Sequence, residues 1–316
     1  MPEKKLYQPH DRLIKFTYGR RSSAMAFCDG YLPPAFVAGL NFSEAKLRPG
    51  TFVNPTSGDL HTDLLYEIPF HGEPLFLYWL FEHQSKPDPW MGHRLLDYQS
   101  AIWREFRKEN PQSVQAPPIY PIVLYSGKEP WRVPLRWIDK LALPPDAAPE
   151  LRHCQVDFGY QLVNLSTLSA GEIRGDVAGR LTLSLMKAAA ENRILEWLEQ
   201  SAPLLKLLQQ SEVTGMFEVL LRYLLTVDST LSRETVLQAV ERLVIPEFTN
   251  EAMSVADQLI EEGRVLGKRE GVLEGEIRFA QRLLGMRQIS DEEIASTSKE
   301  DLQRLARDLE ARLMKR

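Results

Sequence analysis

With 316 residues, 44% of them hydrophobic and 26% charged, the chain has the composition of a soluble globular protein. It has room for two domains, or for one large domain with an appendage. The longest apolar run, residues 75–81, is too short to span a bilayer, and no apolar signal core follows the basic start, so a cytoplasmic location without a membrane partner is expected. A net charge of −5 excludes a protein that coats nucleic acid by bulk attraction, and two cysteines without a CxxC pair exclude a thiolate zinc site.

The charge is uneven. Residues 1–140 carry 17 Lys/Arg against 15 Asp/Glu and five of the six histidines, whereas the remainder carries 21 against 28. A mildly positive N-terminal portion permits DNA contact without requiring it, and scatter in a loop-rich domain gives the same imbalance.

In chain order, residues from about 10 to 28 read as one helix with Leu13, Ile14 and Phe16 on its apolar face, ended by Pro33-Pro34. Residues 61–68 and 75–84 read as two strands of an antiparallel hairpin, joined by the turn residues His71-Gly-Glu-Pro74. The second strand is apolar on both faces through Phe81, as expected of a central strand, and turns polar at Glu82. After Pro87 and Pro89, residues 91–109 form an amphipathic helix with Leu95, Tyr98, Ile102 and Phe106 on one stripe. Residues 119–125 are another buried strand, closed by Ser126-Gly127, and a proline-rich stretch leads to a strand near 156–165.

From about Ser169 the periodicity is helical, with helices expected at 172–199, 203–226, 232–244 and 249–284 and Gly285 as a C-cap glycine. Ser290-Asp-Glu-Glu293 and Thr297-Ser-Lys-Glu300 are capping-box patterns that open two last short helices. These patterns divide the chain into an α/β portion (1–168), a helical region (169–260) and a glycine-striped helix with short terminal helices (261–316).

Side chains two apart on a strand share a face, so Glu82 and Gln84 point together while His83 points away. Asp63, on the neighbouring strand, reaches the same spot across the hairpin. Oxygen donors of this kind suit Mg²⁺, which takes one or two carboxylates and completes its shell with water and phosphate oxygens. A metal so held polarises a phosphate and lowers the pKa of a bound water. Carboxylates at strand ends are also common surface features. What favours a metal here is that Glu82 ends an apolar central strand, where an unpaired charge is costly.

Five motifs occur in order: His10-Asp-Arg-Leu-Ile-Lys15, His61-Thr-Asp-Leu-Leu-Tyr66, Phe81-Glu-His-Gln-Ser85, Arg94-Leu-Leu-Asp-Tyr98 and Pro121-Ile-Val-Leu-Tyr-Ser-Gly127. Over about residues 10–165 this resembles the recombination-promoting nuclease, transposase-like family (Rpn), a branch of the PD-(D/E)xK nucleases. The resemblance implies a restriction-endonuclease-like mixed α/β sheet flanked by helices. It also implies Mg²⁺-dependent DNA cleavage, with Mn²⁺ or Ca²⁺ as substitutes, and a part in recombination. By the same resemblance Asp63 is the strand aspartate and Glu82 the acid of the ExK pair, both catalytic and both metal ligands.

Gln84 stands where the superfamily usually has lysine, a substitution shared by the resembled family; it lacks the cation but can orient water through its amide. Lys86, two residues on, is the candidate for the missing charge if the strand persists past Pro87. Asp11, in the His-Asp pair of the family motif, reads as a further metal ligand and equally as a helix N-cap. Arg94 and Tyr98, four apart on one helix face, are candidates for contacting substrate phosphate or supporting Glu82, with a core role for Tyr98 equally open. His83 reads as a packed histidine, and Cys28 and Cys154 as core thiols.

Gly263, Gly267, Gly271 and Gly275 recur every fourth residue. In a helix interior each costs about 1 kcal/mol against alanine. Close approach of a second helix would offset that, which points to a homo-oligomer through the C-terminal helices; a charged linker is the other reading. No helix-turn-helix, zinc finger or long basic stretch is present to read base edges, so the expected activity is endonuclease cleavage of double-stranded DNA with low sequence specificity. The alternative is a non-catalytic or weakly active nucleic-acid- or protein-binding module that retains the nuclease fold, favoured by the absent lysine and the acidic C-terminal half.

Overall fold

The apolar run of the N-terminal half becomes the middle strand of a five-stranded mixed sheet in the computed structural model. The structure describes residues 9–48, 62–82, 86–144, 149–209, 213, 215–227 and 231–243. Towards the C-terminus it describes 254–255, 257–258, 261, 271, 273–282, 284, 286–290, 293–294 and 297–313. The strands are β1 (Lys46–Arg48), β2 (Thr62–Phe70), β3 (Glu73–Glu82), β4 (Ile119–Tyr125) and β5 (Gln161–Asn164), paired in that order. β1, β2 and β3 form an antiparallel meander, whereas β4 and β5 run parallel to β3.

The hairpin turn is His71-Gly72 alone, with φ values of 50° and 90° and Phe70 paired to Glu73. Positive φ at both central positions matches the right-handed twist of the flanking strands, and glycine adopts it without a steric penalty. Both strands therefore reach further into the turn than hydropathy alone predicts.

Both faces of β3 are covered, as its hydropathy requires. On one face Phe76, Tyr78 and Leu80 pack under Met91, Leu95, Tyr98 and Ile102 of α4 (Met91–Glu109), which is the long amphipathic helix expected there. On the other, Trp79 is enclosed by Tyr18 of α1 (Pro9–Tyr18), Phe27 of α2 (Arg21–Tyr31) and Tyr66 of β2, with ring centroids 5.0–5.8 Å away. The single helix expected at 10–28 is thus two. α1 ends at Gly19, where a Cβ would lie 2.4 Å from the Lys15 carbonyl oxygen, and Arg20 is extended before α2 begins.

After α3 (Pro34–Val37) and α5 (Pro149–His153), the helices described between β5 and residue 243 are α6 (Val177–Glu191), α7 (Ile194–Gln209), α8 (Met216–Val227) and α9 (Arg233–Leu243). The helix expected at 172–199 is split at Asn192, which takes the left-handed conformation (φ 58°, ψ 40°) and caps α6. Pro203, expected to start a helix, lies inside α7. Asp176 caps the N-terminus of α6 by accepting from the Gly179 N–H at 2.8 Å, and it also accepts from the Ser23 hydroxyl of α2 at 2.7 Å. Buried Thr17 and Thr182 share a hydrogen bond of 2.7 Å between α1 and α6. Residues Gln8–Ala252 therefore form one compact unit, and the change to helical composition near residue 168 falls within it.

Of the strand expected at 156–165 only Gln161–Asn164 is strand; Asn164 then turns the chain by accepting from the Ser166 N–H at 3.1 Å. Cys28 is buried as expected, and burial pushes its thiol pKa up. Cys154 is exposed instead, just past α5, a short helix with no buried residue.

Met253–Arg316 belongs to a second unit. There α10 (Lys299–Leu313) buries Leu302 and Leu309 against Ile277 and Ala280. The first capping box is present: Ser290 N–H donates to Glu293 and Glu293 N–H to the Ser290 hydroxyl, at 2.8 and 3.2 Å. The second is displaced by one residue, with Ser298 rather than Thr297 accepting from the Asp301 N–H at 3.2 Å. Gly263, Gly267 and Gly285 lie outside the described residues. Among the described residues, no atom beyond the neighbouring residues and the local helix backbone lies within 4 Å of where a Cβ would stand on Gly271 or Gly275. No helix among the described residues is long and apolar enough to cross a membrane.

Candidate active site

The hairpin register fixes the relation between the two acidic positions. Asp63 of β2 pairs with Leu80 of β3, and Glu82 lies two residues beyond Leu80 at the end of that strand. Strand alternation gives positions 63, 80 and 82 the same parity. Leu80 belongs to the core under α4, so this is the face that α4 covers. Glu82 in turn pairs with Tyr125, the last residue of parallel β4. The two positions thus sit at the end of the sheet where β3 and β4 both finish, next to the Ser126-Gly127 loop.

The side chains at 63 and 82, and the whole of His83, Gln84 and Ser85, lie outside the described residues. Among the described residues no group of three or more His, Cys, Asp or Glu side chains is placed to hold a metal ion. The chemistry of positions 63 and 82, two hard carboxylates of one parity at one sheet end, fits a Mg²⁺ ion that keeps several waters.

The other candidates are placed as follows. β3 ends at Glu82, so Lys86 stands in a bend beyond the strand; its Nζ lies 3.3 Å from Glu129 Oε1 and both side chains are exposed. Arg94 is largely buried in the first turn of α4, with Nη1 donating to Asp88 Oδ2 at 3.2 Å. Tyr98 is buried in the core, its ring 5.4 Å from that of Tyr78. Asp11 sits in the first turn of α1 and accepts from Lys15 Nζ at 2.8 Å. α1 covers the face of the sheet opposite α4, so Asp11 lies in a different layer from Arg94 and Tyr98. Its neighbour His10 meets the Tyr223 hydroxyl at 3.0 Å; burial pushes that phenol pKa up, so it stays protonated and can donate to Nδ1.

One residue at this end was not singled out from the sequence. Asp88 accepts from Arg94 with Oδ2 and from the Trp90 N–H with Oδ1 at 2.8 Å, fixing the entry to α4. An acidic residue just ahead of a helix that contains an arginine was the available signal.

Residues 8–215 match the family described as "Putative transposase, YhgA-like". The chain belongs to this family. The YhgA-like match spans the sheet together with α6 and α7. The chain is 23% identical to the recombination-promoting nuclease RpnA of Escherichia coli (strain K12), over 94% of its own length and 100% of that protein. It is 24% identical to the inactive recombination-promoting nuclease-like protein RpnE of the same strain, over 90% of this chain and 92% of RpnE. Against the recombination-promoting nuclease RpnD of Escherichia coli O157:H7 the identity is 24%, over 79% of this chain and 94% of RpnD. No solved structure matches the chain.

Proposed function

We propose that this YhgA-like protein is a Mg²⁺-dependent endonuclease of PD-(D/E)xK type that cuts double-stranded DNA with low sequence specificity during recombination. The observation that carries the reading is the register that gives Asp63 and Glu82 one face at the end of β2 and β3. The order helix, three antiparallel strands, crossover helix, parallel strand supports it, as do relatives named recombination-promoting nucleases. Asp63 and Glu82 would hold the ion, and Asp11, which accepts from Lys15, is the further candidate ligand. When bound, Mg²⁺ polarises the scissile phosphate and lowers the pKa of a water nucleophile. Gln84, two residues after Glu82 in the sequence, would orient that water through its amide. Hydrolysis then adds water across one P–O bond and leaves a phosphate and a hydroxyl end.

A supercoiled plasmid tests the metal requirement. Nicking is expected with Mg²⁺ or Mn²⁺, should stop with excess EDTA and should return when metal is restored. Cutting that persists in EDTA would contradict the proposal. A second reading, a binding module that has lost cleavage, is favoured by the relative named inactive, whose 24% identity is as high as that of RpnD and close to the 23% of RpnA. DNA binding without cutting in any of these metals would decide for it.

A further inference from the structure

Trp90 stands at the entrance to α4 with 59% of its surface exposed, although its surroundings hold it firmly. Its backbone N–H is fixed by Asp88. Its ring lies 6.5 Å from that of Trp137 and 6.3 Å from that of His93, and His93 is 6.1 Å from Trp137. Lys140 places its ammonium over one face of the Trp90 ring, 5.2 Å from the centroid. Trp137 is nearly buried, in a short helical turn whose first N–H donates to the Phe158 carbonyl at 2.9 Å. Gly92 lets it dock, because a Cβ there would lie 2.7 Å from the Trp137 ring. Two elements far apart in sequence thus converge to support one open indole.

Its location gives this cluster a meaning. Met91, the next residue, is buried in the same core as Leu80, which pairs with Asp63 and lies two residues before Glu82. The cluster therefore stands at the same end of the sheet, and on the same face, as the two acidic positions. A single indole with a cation at its ring suits a nucleobase, which stacks on an aromatic face whatever its sequence while lysine meets the adjoining phosphate. Duplex DNA hides its base faces within the stack, so such a platform engages only bases that are unpaired. A protein partner would call for a wider contiguous apolar patch than one ring.

We propose that Trp90, backed by Trp137 and His93 and flanked by Lys140, is a stacking platform for an unpaired nucleobase, and that the preferred substrate is DNA with single-stranded character, such as a gap, flap or end. The identity of the nucleic acid as substrate rests on the nuclease reading above.

The test is fluorescence anisotropy with the full chain in EDTA, using labelled oligo(dT), a gapped duplex and a blunt duplex. Wild type should bind oligo(dT) and the gapped duplex more tightly than the blunt duplex. Trp90→Ala should weaken binding to those two by about tenfold, with under about a twofold change on the blunt duplex, and Trp90→Phe should restore most of the loss. Equal binding of oligo(dT) by wild type and Trp90→Ala overturns the platform. So does an equal loss on all three ligands, which would make Trp90 a structural prop, and so does a wild type that binds no DNA. Binding in chelator needs no cleavage, so the two readings separate. Trp90-dependent binding by a chain that never cuts removes the nuclease and keeps the platform, whereas a nuclease whose DNA binding ignores Trp90→Ala does the reverse.

Discussion

Asp63→Ala and Glu82→Ala should each reduce Mg²⁺-dependent plasmid nicking at least about 100-fold, beyond what loss of a group that merely supports a metal ligand typically costs. On the proposed reading Asp63 and Glu82 are the two strand carboxylates that hold the ion, so removing either would take away one of its protein ligands. Both positions are at strand ends, outside the packed centre of the hairpin, and their loss should leave the fold intact. Unchanged tryptophan emission in the variants would establish that. A variant that nicks as well as wild type would place the metal, or the chemistry, elsewhere.

Trp79→Ala carries the largest expected stability effect, a loss of about 3–5 kcal/mol. Its ring is almost fully buried between Tyr18, Phe27 and Tyr66, joining the central strand to α1 and α2. All six tryptophans lie within Gln8–Ala252, so intrinsic fluorescence during urea denaturation follows this unit alone. Trp90→Ala provides the contrast: an exposed ring should cost no more than about 0.5 kcal/mol. Equal midpoint shifts for the two substitutions would mean that Trp79 does not seal the layer between sheet and helices.

The contrast between these two tryptophans also marks what could be read from the chain. Trp79 belongs to an apolar run whose length and two-sided hydropathy announce a central strand, and the helix 91–109 follows from an equally regular stripe. The hairpin of β2 and β3 sets the positions of Asp63 and Glu82, so their shared parity was legible from strand alternation. The breaks were not. α1 stops just before Gly19, whose backbone leaves no room for a Cβ, and Asn192 ends α6 by turning left-handed, while the apolar periodicity runs through both points. Pro203 misled in the opposite sense, since α7 continues through it. The platform around Trp90 was hidden for a different reason: Trp137 and Lys140 reach it through the fold, and no spacing along the chain connects them. Arg94 and Lys86 have candidate roles by motif, but only their pairing with Asp88 and Glu129 shows which charges already meet them.

The most direct measurement of the metal site is calorimetric titration of Mn²⁺ into the wild-type protein and the Asp63→Ala, Glu82→Ala double variant, without DNA. Saturable binding by the wild type that disappears in a folded double variant is the predicted result. The same isotherm from both proteins would contradict the account.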